Sequence, residues 1–416
     1  NPCYGGTGSG ALSDAYPTVS LLQGLEDAGF NLNTELSDFY TAYRADRPEV
    51  GMWAQDWTLP EPTADSYTDE MMANAKEFSD TAMVVITRVG GEGADLPTDV
   101  SKVTYTDNST EYKDFEAGEH YLQLDRTERD MLDLVCSNFD NVIVVYNGAN
   151  AMELGFINEY SQIKSAIWCP GTGQSGFEAL GEIVAGTVNP SGKTSDTFVA
   201  DLTATPTWNN FGYFKYDNMD EYAYTSNNFK TGEEETALPS FVNYVDGIYV
   251  GYRFYETAAA EGLINYDDTV VYPFGYGLSY TTFTQEMGAI SEDNGTISFD
   301  VTVTNTGDVA GKDVVEVYYN PPYTNGGIEK ASANLIQFEK TEVLQPGDSQ
   351  TITVSFDAED MASYDTYGAG CYVLEAGDYQ ISINSDSHNV IDSQTYTVAS
   401  TVTYDESNPR STDETA

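Results

Sequence analysis

Ala82-Met83-Val84-Val85-Ile86-Thr87-Arg88-Val89-Gly90-Gly91-Glu92-Gly93-Ala94-Asp95-Leu96-Pro97 joins an uninterrupted apolar run to a glycine-rich loop. Five consecutive apolar residues predict a strand covered on both faces, as in the interior of a parallel sheet. The loop follows at the carboxyl end of that strand. In open α/β sheets this is the edge where ligands bind. One carboxylic acid, Glu92, stands there between glycines, and Gly91 and Gly93 permit a sharp turn and close approach by another molecule. Glu92 is therefore the first candidate for a catalytic group. The sequence shows no obvious second carboxylate to work with it.

Outward from this strand, apolar runs alternate with amphipathic segments across residues 1–215. A helix is expected over 17–28, where Val19, Leu22 and Leu25 recur at three-residue spacing and Gly29 is a stop. A second is expected over 68–78, feeding the strand at 82–86. Asp125 and Glu128 have the spacing of a capping box, and Met131, Leu132, Leu134 and Val135 then form one apolar face. A strand at 142–145, a helix at 152–160, a strand at 166–168 and a helix at 176–185 continue the alternation. The fold class this predicts is α/β: a mostly parallel sheet covered by helices on both faces.

Residues 216–284 are rich in Tyr, Asn and Gly and read as a connecting segment packed at a domain seam. After Gly288 the apolar period changes to two. Segments 296–305, 313–319, 350–356 and 379–383 alternate, with turns such as 305–308 and 346–348 between them. This predicts an antiparallel β-sandwich over 285–400. Residues 401–416 are polar and aperiodic and read as a linker or tail.

The 416 residues suffice for two or three domains, and 40% hydrophobic residues can fill their cores. No apolar stretch approaches the roughly 18 residues of a membrane span. Residue 1 is Asn, and only four residues precede the glycine-rich stretch 5–10, so a processed or excised piece is expected. That stretch has neither a preceding strand nor a lysine to serve as a phosphate cradle; a tight turn bordering a cleft is expected instead. Acidic residues outnumber basic ones 67 to 17, a net charge of −50. Such a field repels a nucleic-acid backbone and favours neutral substrates over anionic ones. The four cysteines contain no Cys-x-x-Cys pair, and Cys136 and Cys169 read as small buried hydrophobes. The two histidines, His120 and His388, lie on separate polar stretches and read as surface residues. No helix-spaced cluster of His or carboxylates suggests a metal, and no cofactor is implied.

Several segments together resemble glycoside hydrolase family 3: residues 4–10, Gly91-Glu92-Gly93, Asn189-Pro190-Ser191-Gly192-Lys193, the run 247–255, and Tyr272-Pro273-Phe274-Gly275-Tyr276-Gly277-Leu278-Ser279-Tyr280 continuing to Phe283. Thr302-Val303-Thr304-Asn305-Thr306-Gly307 looks like the start of that family's fibronectin type III-like module. The resemblance covers residues 1 to about 400 in order. It implies an α/β sandwich, a fibronectin-like sandwich, and a (β/α)8 barrel that carries a nucleophilic aspartate, usually in Ser-Asp-Trp. No barrel is expected within these 416 residues. Gln55-Asp56-Trp57 is the chain's nearest approach to that motif, and Asp56 reads as a loop residue. The glycine-rich start resembles members with reversed domain order, in which 401–416 would lead toward the barrel.

The resemblance maps the family's acid/base glutamate onto Glu92, in a retaining β-glucosidase-like reaction on neutral β-glucosides or short oligosaccharides. Arg88 and Asp95 flank it; they could orient Glu92, touch sugar hydroxyls or form a structural ion pair. The tyrosines of 249–280 and Arg253 read as packing between domains. β-Xylosidase activity stays open within the enzyme class, and a non-catalytic carbohydrate-binding or surface scaffold protein stays open outside it. A partner barrel is implied, homo-oligomerisation is undecided, and an extracellular or bacterial surface location is expected, with the cytoplasm still open.

Overall fold

The computed structural model describes residues 4–5, 12–45, 61–90, 96–102, 116–210, 216–228 and 231–413. The first domain begins with helix α1 (Leu21–Asp27), helix α2 (Thr34–Ala45) and helix α3 (Asp69–Phe78). Strand β1 (Thr81–Thr87), helix α4 (Arg126–Asn138), strands β2 (Asn141–Asn147) and β3 (Ile163–Trp168) and helix α5 (Gly176–Val184) follow. The three strands form one parallel sheet in the order β1-β2-β3. Leu21, Leu25, Phe177 and Leu180 of α1 and α5 cover one face around Val145. Ala75, Met131, Leu132 and Cys136 of α3 and α4 cover the other, around Val84, Ile86, Val142 and Val144. Strands buried on both sides need continuous apolar runs, and this is why 82–86 and 142–145 carry them.

Local chemistry sets the helix ends. Ser20 accepts from Gln23 N and starts α1 four residues later than periodicity suggested. Thr68 caps α3, and the Asp125–Glu128 capping box forms on α4. A Cβ on Gly181 would collide with the carbonyl oxygen of Gly24, so the α1–α5 crossing requires a bare backbone there. The helix expected over 152–160 is only the 3-10 turn Gly155–Asn158; Met152, Leu154 and Phe156 enter the core from irregular backbone. Helix α2 was not foreseen.

The connecting segment is more ordered than its composition suggested. It follows β4 (Phe198–Val199) and contains β5 (Tyr224–Asn227), β6 (Glu234–Ala237), α6 (Tyr252–Ala260), α7 (Tyr266–Thr269) and β7 (Val270–Tyr272), which pairs with β4. Beyond it lie β8 (Phe283–Met287), β9 (Ser291–Asp293), β10 (Thr296–Asn305), β11 (Val314–Asn320), β12 (Asn334–Lys340) and β13 (Ser349–Asp357). The last strands are β14 (Ser363–Tyr364), β15 (Tyr372–Leu374), β16 (Gly377–Asn384), β17 (Val390–Val398) and β18 (Val402–Tyr404). Sheets β13-β10-β8 and β12-β11-β16-β17 face each other across Ile297, Phe299, Val301, Val303, Val317, Ile352, Ile381 and Ile383. The segment after residue 400 is not a free tail: β18 pairs with β15, and the Arg410 guanidinium sits 3.5 Å over the Tyr372 ring. Among the described residues no helix is long and apolar enough to cross a membrane.

Residues 189–194 pair with 273–280, and together they form the face that meets the sandwich, with Asn189 Nδ2 donating to Ala310 O and Lys340 Nζ to Ser191 O. Thr194 and Tyr276 exchange backbone and side-chain bonds, Asn189 Oδ1 accepts from Ser279 Oγ and Tyr280 N, and Lys193 Nζ donates to Ser385 O. Tyr252 stacks on Phe274 and receives the Leu335 amide on its hydroxyl, and the Arg253 guanidinium lies 5.7 Å from the Tyr252 ring centroid. Gly275, at φ +82°, leaves no room for a Cβ beside the Glu316 carboxyl. Glu316 is 4% exposed, accepts from Tyr318, and lies 4.0 Å from Lys193 Nζ. Burial pushes its carboxyl up to about 7, against the pull of Tyr318 and Lys193.

A raised folded-state carboxyl favours the protonated form. Its contribution to stability is complete below its ordinary value of 4.5 and is lost as pH rises through about 7. Glu316→Gln should remove a pH-dependent loss of roughly 3 kcal/mol over that window. Urea denaturation of both proteins at pH 5 and pH 8 checks this. A wild-type-minus-variant difference that does not change with pH would refute it.

Candidate functional site

Glu92 and Asp95 lie outside the described residues, as do Asp56 and most of the glycine-rich start. The roots from which residues 91–95 hang are described, and they are tightly braced. At the carboxyl end of β1, Arg88 is 2% exposed. Its guanidinium forms a bidentate pair with Glu128, Nη1 to Oε1 at 2.6 Å and Nη2 to Oε2 at 2.7 Å. Nε donates to Tyr121 O at 2.6 Å, Nη1 to Thr87 O at 2.8 Å, and Nη2 to Gln123 O at 2.5 Å. All five guanidinium N–H groups are thereby used. Burial by itself would lower the Arg88 pKa; the Glu128 charge outweighs it and holds the guanidinium ionised. Burial, then the charge of Glu128, raises the neighbouring Asp125 carboxyl well above the usual carboxylate range, against the opposing pull of Arg88.

This overturns the reading of Arg88 as a substrate contact. A guanidinium with no free donor and almost no exposed surface cannot touch sugar hydroxyls. Among the described residues its ion-pair partner is Glu128, forty residues on. The capping box put Glu128 in the first turn of α4, where it also receives Asp125 N. A crossover helix begins at the same sheet edge where the preceding strand ends, so topology brings Glu128 to Arg88.

Tyr121 ties both roots together. Its hydroxyl accepts from Val89 N at 3.0 Å, and its amide donates to Pro97 O at 3.1 Å. Val89 and Pro97, on either side of 91–95, are thus bonded to one buried residue, the first to its side chain and the second to its backbone. Beside them His120 is 2% exposed, not a surface residue. Its Nδ1 accepts from Leu122 N, leaving Nε2 to donate to Glu153 Oε1 at 2.9 Å. Glu153 also receives Leu202 N, and the Trp208 ring packs edge-on to the imidazole at 5.2 Å. Trp168 Nε1 donates to Gly148 O across the ends of β2 and β3. Sequence periodicity did not reveal this shell of Tyr121, His120, Glu153 and Trp208, because its members sit in irregular backbone. Among the described residues there is no group of three His, Cys, Asp or Glu able to hold a metal ion.

Residues 1–280 match the glycosyl hydrolase family 3 C-terminal domain, and residues 313–387 match the fibronectin type III-like domain. The chain belongs to glycoside hydrolase family 3. It is 33% identical to β-glucosidase A of Butyrivibrio fibrisolvens, over 92% of this chain and 44% of that protein. To a β-glucosidase of Ruminococcus albus it is 31% identical, over 95% of this chain and 36% of that one. Among solved structures, β-glucosidase 3B of Thermotoga neapolitana superposes with a TM-score of 0.75 at 27% identity, covering 97% of this chain and 49% of its own. The chain spans less than half the length of these relatives.

The bracing of the loop roots has a direct test. Arg88→Met leaves Glu128 charged, buried and unpaired, and should cost about 3–5 kcal/mol of unfolding free energy. The double variant Arg88→Met/Glu128→Leu should recover part of that loss. Urea denaturation reads both. Unchanged stability in Arg88→Met would return Arg88 to the list of substrate contacts.

Proposed function

We propose that this chain supplies the proton-transferring carboxyl group, Glu92, of a retaining β-glucosidase-like glycoside hydrolase. The attacking aspartate comes from a (β/α)8 barrel outside these residues. The observation that carries this reading is the braced loop: a Gly-Glu-Gly sequence whose two roots are both bonded to Tyr121, at the carboxyl edge of the parallel sheet, in a family 3 chain. Relatives named β-glucosidases support the substrate class. The net charge of −50 suits a neutral glucoside.

In such a reaction the two carboxyl groups stand about 5–5.5 Å apart. The barrel aspartate attacks the anomeric carbon while protonated Glu92 gives its proton to the departing glycosidic oxygen. Glu92, now a carboxylate, takes a proton from the water that releases the sugar from the aspartate. The nearby anionic aspartate favours the protonated form of Glu92 before attack. Arg88 contributes by fixing the start of the loop, a positioning role and not a contact with sugar.

In the protein joined to its barrel, Glu92→Gln should lower kcat/KM on a phenyl β-glucoside about 10²–10⁴-fold. On a dinitrophenyl β-glucoside, whose leaving group needs no proton, glycosylation should hardly change. Equal losses on both substrates would remove Glu92 from proton transfer. The 416-residue chain alone should show no hydrolysis of 4-nitrophenyl β-glucoside above background. Turnover by the chain alone would mean that it holds its own nucleophile.

A further inference from the structure

A cavity of about 610 Å³ opens at the seam between α6–α7 and the outer face of the sheet that carries β11 and β16. Tyr379, Ile381 and Ile383 of β16 point into the sandwich core. Strand alternation therefore sends Gln380, Ser382 and Asn384 outward, into this space. Asn320, Asn265 and Ser393 add amides and a hydroxyl from β11, α7's N-terminal flank and β17. A sheet face that merely packs under a helix is apolar; this one is lined with uncharged hydrogen-bonding groups.

Asn384 supplies a second, independent sign. It is 2% exposed, and its Oδ1 has no hydrogen-bond partner among the described residues. A buried amide oxygen left unpaired is costly, and a ligand hydroxyl donor would satisfy it. The space far exceeds the roughly 30 Å³ of a single water and falls within the roughly 300–1,000 Å³ range of small-molecule sites.

The cavity also has an aromatic wall. The Tyr266 and His388 rings stack at 3.6 Å with an 8° interplanar angle. Glu256 pins the pair: it accepts from Tyr266 Oη at 2.8 Å and Ser387 Oγ at 2.9 Å, and lies 2.8 Å from His388 Nδ1. That carboxylate is engaged by three partners, so it offers little to a cationic ligand, while the net charge of −50 repels anions. A flat ring wall beside amides and hydroxyls matches a sugar, whose C–H face stacks on an aromatic and whose hydroxyls both donate and accept.

We propose that this seam cavity binds a short neutral oligosaccharide. The ligand's hydroxyls pair with Asn384, Ser382 and Gln380, and the Tyr266–His388 pair walls one side. The chain contains only two histidines, so imidazole NMR signals report the site directly. In the 416-residue chain, titration with cellotriose at millimolar concentrations should shift the His388 signals saturably and leave those of His120 in place. Ser393→Trp, which fills the cavity from the exposed strand β17, should weaken the titration at least tenfold while leaving the unfolding temperature unchanged. Should that variant fail to fold, the wild-type pattern of shifts decides alone. No shift at His388, a shift at His120 only, or an unaltered titration in a folded Ser393→Trp protein would overturn the site. The titration repeated in Glu92→Gln should be unchanged, so failure here and failure of the catalytic reading are separable.

Discussion

A guanidinium cannot be buried without an anion and a full set of acceptors, and Arg88 meets this requirement by drawing three segments together. It joins the end of β1, the backbone at Tyr121 and Gln123, and the first turn of α4 through Glu128. Tyr121, held under the guanidinium, then fixes Val89 on one side of residues 91–95 and Pro97 on the other. A buried pair of this kind is weak as a source of stability but strict in geometry. Strict geometry is what the proposed role of Glu92 needs, since proton transfer depends on hydrogen-bond reach.

The segments that carry the family resemblance divide into two kinds. Gly91-Glu92-Gly93 is the segment proposed to carry chemistry. Asn189–Lys193 and Tyr272–Phe283 carry docking: Asn189 donates to Ala310 O, Lys193 to Ser385 O, and the bare backbone of Gly275 meets the Glu316 carboxyl, while the Thr194–Tyr276 and Tyr280–Ile183 bonds hold the two segments to the sheet domain. Gly275 is needed because the Glu316 carboxyl occupies the space of its missing side chain. The seam is therefore a hydrogen-bonded joint with the buried Glu316 carboxyl within it. The joint sets how the sandwich is held against the sheet domain, and with it the shape of the cavity beneath α6 and α7.

The histidines show how packing changes a residue's meaning: His120 is buried, while His388 keeps the surface exposure expected of it. His120 and His388 both came from polar surroundings in sequence. In the fold each is bonded to a glutamate and packed against an aromatic ring, Trp208 for His120 and Tyr266 for His388. Neither is arranged as a general base with a free nitrogen facing the loop at 91–95. His120 uses both ring nitrogens, on Leu122 N and Glu153. The aromatic surplus of the composition is likewise spent mainly on internal pairs such as Tyr252 with Phe274 and Trp168 with Phe198.

Periodicity and capping are local, and local physics was readable. The unbroken apolar runs gave β1 and β2, the period-two alternation gave β10, β11, β13 and β16, and Asp125 with Glu128 gave the start of α4. Glycines on both sides of one acid singled out Glu92 without any structure. The short strands β15 and β18, the seven-residue β12, and α6 within a Tyr-rich segment were not legible, because partners elsewhere in the chain stabilise them more than their own residue pattern does. Tertiary structure alone decided which anion Arg88 meets, that Tyr121 closes the loop roots, that His388 lies on Tyr266, and that Asn384 faces a cavity. Those contacts join residues 40, 32 and 132 positions apart in Arg88–Glu128, Val89–Tyr121 and Glu256–His388. A sequence records each residue's preference for burial, turn or charge, but a pairing across such distances exists only once both cores have formed.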